Sequence, residues 1–239
     1  MPRAVAPTTA ERFGARLDAL EALALHGLDL ARDQLLRVTD AIERHDAALA
    51  QAVVAGDDAI DRLYAELHAG VLELLALRAP VATDLRRAMT LFHLGRTLER
   101  MGDQCVNVAK LVPLDGRHPP VDATLLEELG VMGRLAAAEI GQARRAFATR
   151  DLALARDLLL EDRDVNELNR RVFRFAWRSA ADADARAWAM HMILAARAIE
   201  RIGDQAVDVG EQLQFLLTGA FEEFRDSSHP SPSDAAEGV

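Results

Sequence analysis

A nine-residue pattern occurs twice in the chain, 101 residues apart, first as ERMGDQCVN (Glu99 to Asn107) and again as ERIGDQAVD (Glu200 to Asp208). A second pair of segments repeats in the same order. DAALAQAVVAGDDAIDRL (Asp46 to Leu63) resembles DLALARDLLLEDRDVNEL (Asp151 to Leu168), offset by 105. Two matched blocks in one order make this a duplicated domain. Each nine-residue copy sits in helix-forming sequence, so its acids at i and i+4 share a helix face, and the residue at i+8 extends the line.

The 239 residues divide into halves of roughly 100 residues, each large enough for a core of its own. Apolar residues make up 50% of the chain, while Gly and Pro are sparse and aromatics reach only 5%, which suits a packed all-helical protein. A net charge of −10 argues against nucleic acid as a partner, because a phosphate backbone wants a basic stripe. It also disfavours a polybasic membrane-docking surface. Cys105 is the one cysteine, so cysteine-rich metal sites and internal disulfides are excluded. No apolar run approaches the ~18 residues a bilayer span needs. The N-terminus lacks the apolar core of a signal peptide, and a cytoplasmic location is expected.

Leu17, Leu20, Ala24, Leu28, Ala31, Leu35, Val38 and Ile42 recur at steps of three and four, which predicts a first helix to about residue 44. Asp46 is expected to cap a second helix running to about 78. Pro80 breaks it, and Thr83 or Asp84 starts a third, ending before Pro113. Residues 113–121, with three prolines and a glycine, read as a linker. Three further helices follow, over about 123–148, 152–179 with Asp151 as cap, and from about 183 to 219. The tail at 226–239 is polar and reads as disordered. The expected fold is all-α: two tandem pseudo-symmetric three-helix bundles, 10–112 and 122–220, joined end to end by the linker.

On the third helix an apolar stripe of Leu85, Met89 and Phe92 continues as Arg96, Glu99, Asp103 and Asn107. On the sixth, Met190 and Ile193 lead into Arg197, Glu200, Asp204 and Asp208. Reversal near residue 80 makes antiparallel partners sum to about 160, which sets Asp61 level with Glu99 and Asp57 with Asp103. Reversal near 182–183 sets Asn166 level with Glu200 and Asp162 with Asp204. Each hairpin thus gathers four acids and one asparagine. Crowded carboxylates must protonate, pair with cations or hold a metal, and oxygen-only donors suit Mg²⁺, Mn²⁺, Ca²⁺ or iron. The simpler alternative is pairing with Arg96, Arg100, Arg197 and Arg201. Gly102 and Gly203 sit inside the ladders, where glycine costs about 1 kcal/mol against alanine. Their expected use is close approach of a neighbouring helix or access for an ion. No histidine follows a helical acid by three residues, which argues against a di-iron oxidase. No phosphate loop or nucleophile elbow is present, and the chain reads as non-enzymatic.

With the ladders LERMGDQCVN and IERIGDQAVD, the AGDDAID segment at 55–61 and the turn RAPVATDLR at 78–86, the sequence resembles the PhoU family over about residues 10–220. The resemblance implies a regulator of phosphate uptake that couples a phosphate ABC transporter ATPase to a sensor histidine kinase and damps the starvation response. Membrane association would be indirect, through those partners. Members are often dimeric, and some carry iron, zinc or other divalent ions on ladders that map onto Glu99, Asp103, Glu200 and Asp204. Competing readings are a metal-binding or storage bundle and a related regulator of a different transporter.

Overall fold

The computed structural model describes residues 9–77, 80–115, 122–179 and 182–224. The second part of the predicted linker, the turn at 180–181 and the predicted disordered tail lie outside them. Among the described residues there is no strand. The helices are α1 (Thr9–Glu43), α2 (Ala47–Gly56), α3 (Asp58–Leu77), α4 (Ala82–Leu111), α5 (Ala123–Thr149), α6 (Leu152–Ser179) and α7 (Ala183–Thr218), with a short 3₁₀ turn at Val112–Asp115 after α4.

Local signals set most boundaries. Asp46 accepts from the Leu49 N–H at 2.9 Å, Asp151 from Leu154 at 3.0 Å and Asp182 from Ala185 at 2.8 Å, each satisfying a donor that the helix start leaves open. Gly219, in the left-handed region at φ 80°, closes α7. Two expectations are corrected. Helix α4 starts not at Thr83 or Asp84 but after Val81, which offers no side-chain cap. The single second helix is divided at Asp57, whose N–H reaches back to Val54 O at 3.4 Å in 3₁₀ fashion. Gly56 and two adjacent aspartates are weak helix formers, and they give way there.

Each half is a three-helix bundle, α1/α2–α3/α4 and α5/α6/α7, as the duplication predicts. The halves are not joined end to end. They lie side by side, α1 against α5 and α4 against α7, over one continuous core that includes Leu35, Leu67, Leu98, Ile140, Val172 and Leu213. Both contacts are antiparallel. Thr39 faces Gly133, Asp29 pairs with Arg144 at 2.7 Å, and Glu21 takes Arg150 at 2.6 Å, so numbers on α1 fall as those on α5 rise. Glu21 also accepts from Arg87 of α4, 2.8 Å away. One largely buried carboxylate therefore ties three helices and both halves. Side-by-side packing wins because the face that α5 turns to α1 carries Gly130, Gly133 and Gly141, all buried, which let the two helices approach. Cys105 is buried among these helices, and burial pushes its thiol up, so it stays protonated.

Candidate functional site

The hairpin register holds. Asp57 and Ile60 meet Gly102, and Tyr64 and Leu67 meet Gly95, so partners on α3 and α4 sum to about 160. In the second half Asp162 and Val165 meet Gly203. Both ladder glycines serve close approach: a Cβ on Gly102 would stand 2.5 Å from Asp57 Oδ1, and one on Gly203 would stand 2.9 Å from Asp162 Oδ1.

In the first bundle Asp57 lies at the break between α2 and α3. Burial pushes its carboxyl up to about 6, with repulsion from Asp61 and Asp103 adding to the shift and a hydrogen bond from Gln34 opposing it. Its Oδ1 is buried without a hydrogen-bond partner. Glu99 and Asn107 lie one turn before and one turn after Asp103 on the same face of α4, Glu99 half-buried and Asn107 exposed.

The second bundle is the more enclosed. Asp162, Asn166, Glu200, Asp204 and Asp208, all predicted from sequence, line one cavity of about 890 Å³ together with Arg163, Arg170, Arg197 and Glu211. Asn166 donates to Asp162 Oδ2 at 2.6 Å. Burial raises the carboxyls of Glu200, Asp204 and Asp208. Arg197 and Arg201 pull the first two back down, and Arg100 of α4 does the same for Asp208. Arg197 bonds Glu200 directly, so ion pairing accounts for part of this ladder, yet Glu200 Oε2 stays buried without a partner. The field of Arg100 is felt by Asp208 across the contact between α4 and α7. Among the described residues no three His, Cys, Asp or Glu side chains stand close enough together to hold a metal ion as placed.

Three members of the site are not among the sequence-predicted residues. Glu139 of α5 is 1% exposed, and neither of its carboxylate oxygens has a hydrogen-bond partner. Its Oε2 stands 2.8 Å from where a Cβ on Gly203 would be, beside Asp162. Burial first, then the charge of Asp162, pushes it up to about 9. The 105-residue offset maps Glu139 onto Gln34, the residue that reaches Asp57 in the first bundle. The two bundles thus place an amide and an acid at one equivalent point. The available signal was an acid at a core position between Ala136, Ile140 and Ala143. The other two are Glu211, which accepts from the Phe224 N–H at 2.7 Å, and Phe224 itself, whose ring folds back against Gly210.

Comparison with known proteins agrees with this architecture. The family model described as PhoU domain matches residues 25–112 and 129–213, one match per bundle. The phosphate-specific transport system accessory protein PhoU homolog of Caulobacter vibrioides is 33% identical over 212 residues, covering 88% of this chain and 92% of that protein. The homolog of Clostridium acetobutylicum is 28% identical over 222 residues, covering 91% and 100%. The crystal structure of PhoU from Pseudomonas aeruginosa superposes with a TM-score of 0.81 at 27% identity, covering 87% of this chain and 100% of that one. Each bundle is matched separately, and the relatives are aligned over nearly their whole length. With both bundles matched and a relative 33% identical over most of its length, the chain belongs to the PhoU family.

Proposed function

We propose that the chain is a cytoplasmic regulator of phosphate uptake that acts by docking, with the ATPase of a phosphate ABC transporter and a sensor histidine kinase as its partners. The observation that carries the reading is the ordered pair of acidic hairpins, each matched by the PhoU model, in relatives named as accessory proteins of phosphate-specific transport. Among the described residues no helix is long and apolar enough to cross a membrane, so contact with a transporter is made from outside the bilayer core. A homodimer belongs to the same reading. Deleting the gene should leave phosphate-starvation genes expressed in high phosphate. Unchanged starvation-gene expression and phosphate uptake in the deletion strain would reject this pathway, and loss of control over another transporter would reassign it.

The acidic faces support a second element, a bound metal ion. The donors are carboxylate oxygens, the type hard cations take. Buried oxygens on Asp57 and Glu200 lack hydrogen bonds, as ligand atoms awaiting a cation do. Asp57, Asp61, Glu99, Asp103 and Asn107 would hold it in the first bundle, and Asp162, Asn166, Glu200, Asp204 and Asp208 in the second. Side-chain rotation must first draw three of them together. A bound ion would favour the ionised form of Asp57, Glu200, Asp204 and Asp208, which burial holds above the ordinary carboxylate range. Mn²⁺, Mg²⁺, Zn²⁺ or iron at a hundredfold excess over its Kd should then stabilise the fold by about 2.7 kcal/mol, read as a rise in Tm that a chelator reverses. Glu200→Gln with Asp204→Asn should remove that part of the rise contributed by the second bundle. If none of the four ions moves Tm or binds in calorimetry, the metal is rejected while the docking reading stands or falls by the deletion strain.

A further inference from the structure

The end of the α6–α7 hairpin carries a surface that shares Asn169, Arg170 and Arg197 with the acidic cavity and is otherwise separate from it. Trp177 is 78% exposed and Phe173, one turn earlier on the same face of α6, is 54% exposed. Met190 and Leu194 are exposed one turn apart on α7. Arg170, Arg171, Arg174, Arg178 and Arg197 line the surface around Phe173 and Trp177, with Arg171 paired to Glu128 and Arg197 to Glu200, in a chain of net charge −10. Shallow clefts of about 330 Å³ and 410 Å³ run between the rings and the guanidiniums. Glu167 is shared by Arg170 and Arg174 at 3.0 and 2.9 Å, so one exposed carboxylate offsets two cations. The fold does not require any of this. The equivalent hairpin of the first bundle has His68 at the place of Phe173, Leu72 at that of Trp177, and Ala65 and Ala69 at those of Arg170 and Arg174.

We propose that this end of the hairpin is a membrane-contact surface, with Trp177 and Phe173 seated at the headgroup layer of an anionic bilayer and the arginines over the lipid phosphates. Tryptophan and arginine both favour that boundary, the indole for its amphipathic ring and arginine for its long stem and charged head. The chain's overall negative charge does not oppose the contact. Glu200, the first acid of the ladder, lies ten residues beyond Met190 on α7, roughly 15 Å along the axis and nearly twice the screening length of ~8 Å at physiological ionic strength, and Arg197 is bonded to it. An acidic protein segment laid along the same groove would run on into Glu200, Asp204 and Asp208, whereas a headgroup layer meets the hairpin end-on and stops short of them. The sequence, read as having neither a spanning helix nor a basic amphipathic one, implies only indirect membrane association, although the run RRVFRFAWR at 170–178 of α6 holds most of the patch.

The full-length protein, mixed with vesicles of phosphatidylethanolamine and phosphatidylglycerol or of phosphatidylcholine alone, tests this. Trp177 is the reporter, since the other tryptophan, Trp188, is 3% exposed and buried in the bundle. Emission should shift to the blue with the anionic vesicles, not with phosphatidylcholine, and revert in high salt. Trp188→Phe should keep the shift and Trp177→Ala should lose it. Arg174→Ala with Arg178→Ala should weaken vesicle sedimentation by about fivefold per arginine. Circular dichroism confirms that each variant is folded. A wild-type protein that neither shifts nor sediments with anionic vesicles overturns the proposal and leaves an acidic protein as the occupant. Sedimentation that both variants retain at wild-type strength overturns it equally.

Discussion

Glu139→Gln is expected to stabilise the protein at neutral pH by about 2–3 kcal/mol, an unusual direction for a change at a fully buried position. The folded carboxyl holds its proton to about pH 9, whereas an unperturbed glutamate ionises near 4.5. Below 4.5 both states are protonated and the group contributes its full share of stability. Above 4.5 the unfolded chain releases a proton that the folded chain keeps. Each pH unit then removes about 1.4 kcal/mol until the folded group ionises too, after which the loss is constant. Glutamine keeps the shape and abolishes the titration, and the molecule already uses that solution at the equivalent Gln34. Denaturant unfolding in chelator at pH 4, 6 and 8 should show wild type and variant close together at the lowest pH and diverging upward. Parallel curves would mean that Glu139 does not carry a buried proton.

Gly133→Ala should destabilise by about 1–3 kcal/mol, although alanine is the better helix former by about 1 kcal/mol. A Cβ there would stand 2.7 Å from Thr39 Cγ2 and 3.0 Å from Thr39 Cβ. Thr39 has no easy escape. Its side chain is β-branched, and its hydroxyl donates to Leu35 O at 2.7 Å. The added methyl therefore pushes on α1 itself, at the contact that joins the two bundles. Gly14→Ala is the matched control, because nothing lies within 4 Å of its Cβ position and propensity alone should stabilise. Thr39→Ala combined with Gly133→Ala should recover most of the loss. If Gly133→Ala is as stable as wild type by thermal and chemical unfolding, the contact is looser than its geometry requires.

Helix periods, caps and the two hairpin registers were legible because each rests on neighbours in sequence. Asp162 facing Gly203 follows from counting back through one turn. The side-by-side union of the bundles was not legible, because glycines and scattered ion pairs mark it rather than an apolar stripe. Thr39, Gly133, Glu21 and Arg150 show no periodicity that points outward from a bundle. Glu139 escaped for a related reason: it belongs to α5, the helix that takes no part in the acidic hairpin, and only three-dimensional packing brings it to Asp162. The break at Asp57 was hidden because Gly56 is tolerable inside a helix until tertiary contact selects the kink.

The antiparallel union of α1 with α5 and of α4 with α7 relates the halves by an approximate twofold axis. That is the geometry of an isologous dimer, in which one patch meets its own copy. A half-length ancestor would have paired with itself through these same faces, and every substitution would have appeared on both sides at once. Fusing the two copies into one polypeptide removes that constraint. One bundle could then keep glutamine where the other acquired a buried acid, and only one needed to grow an arginine-ringed tryptophan. The covalent link thus allows a molecule built as a symmetric pair to present two different ends to its surroundings.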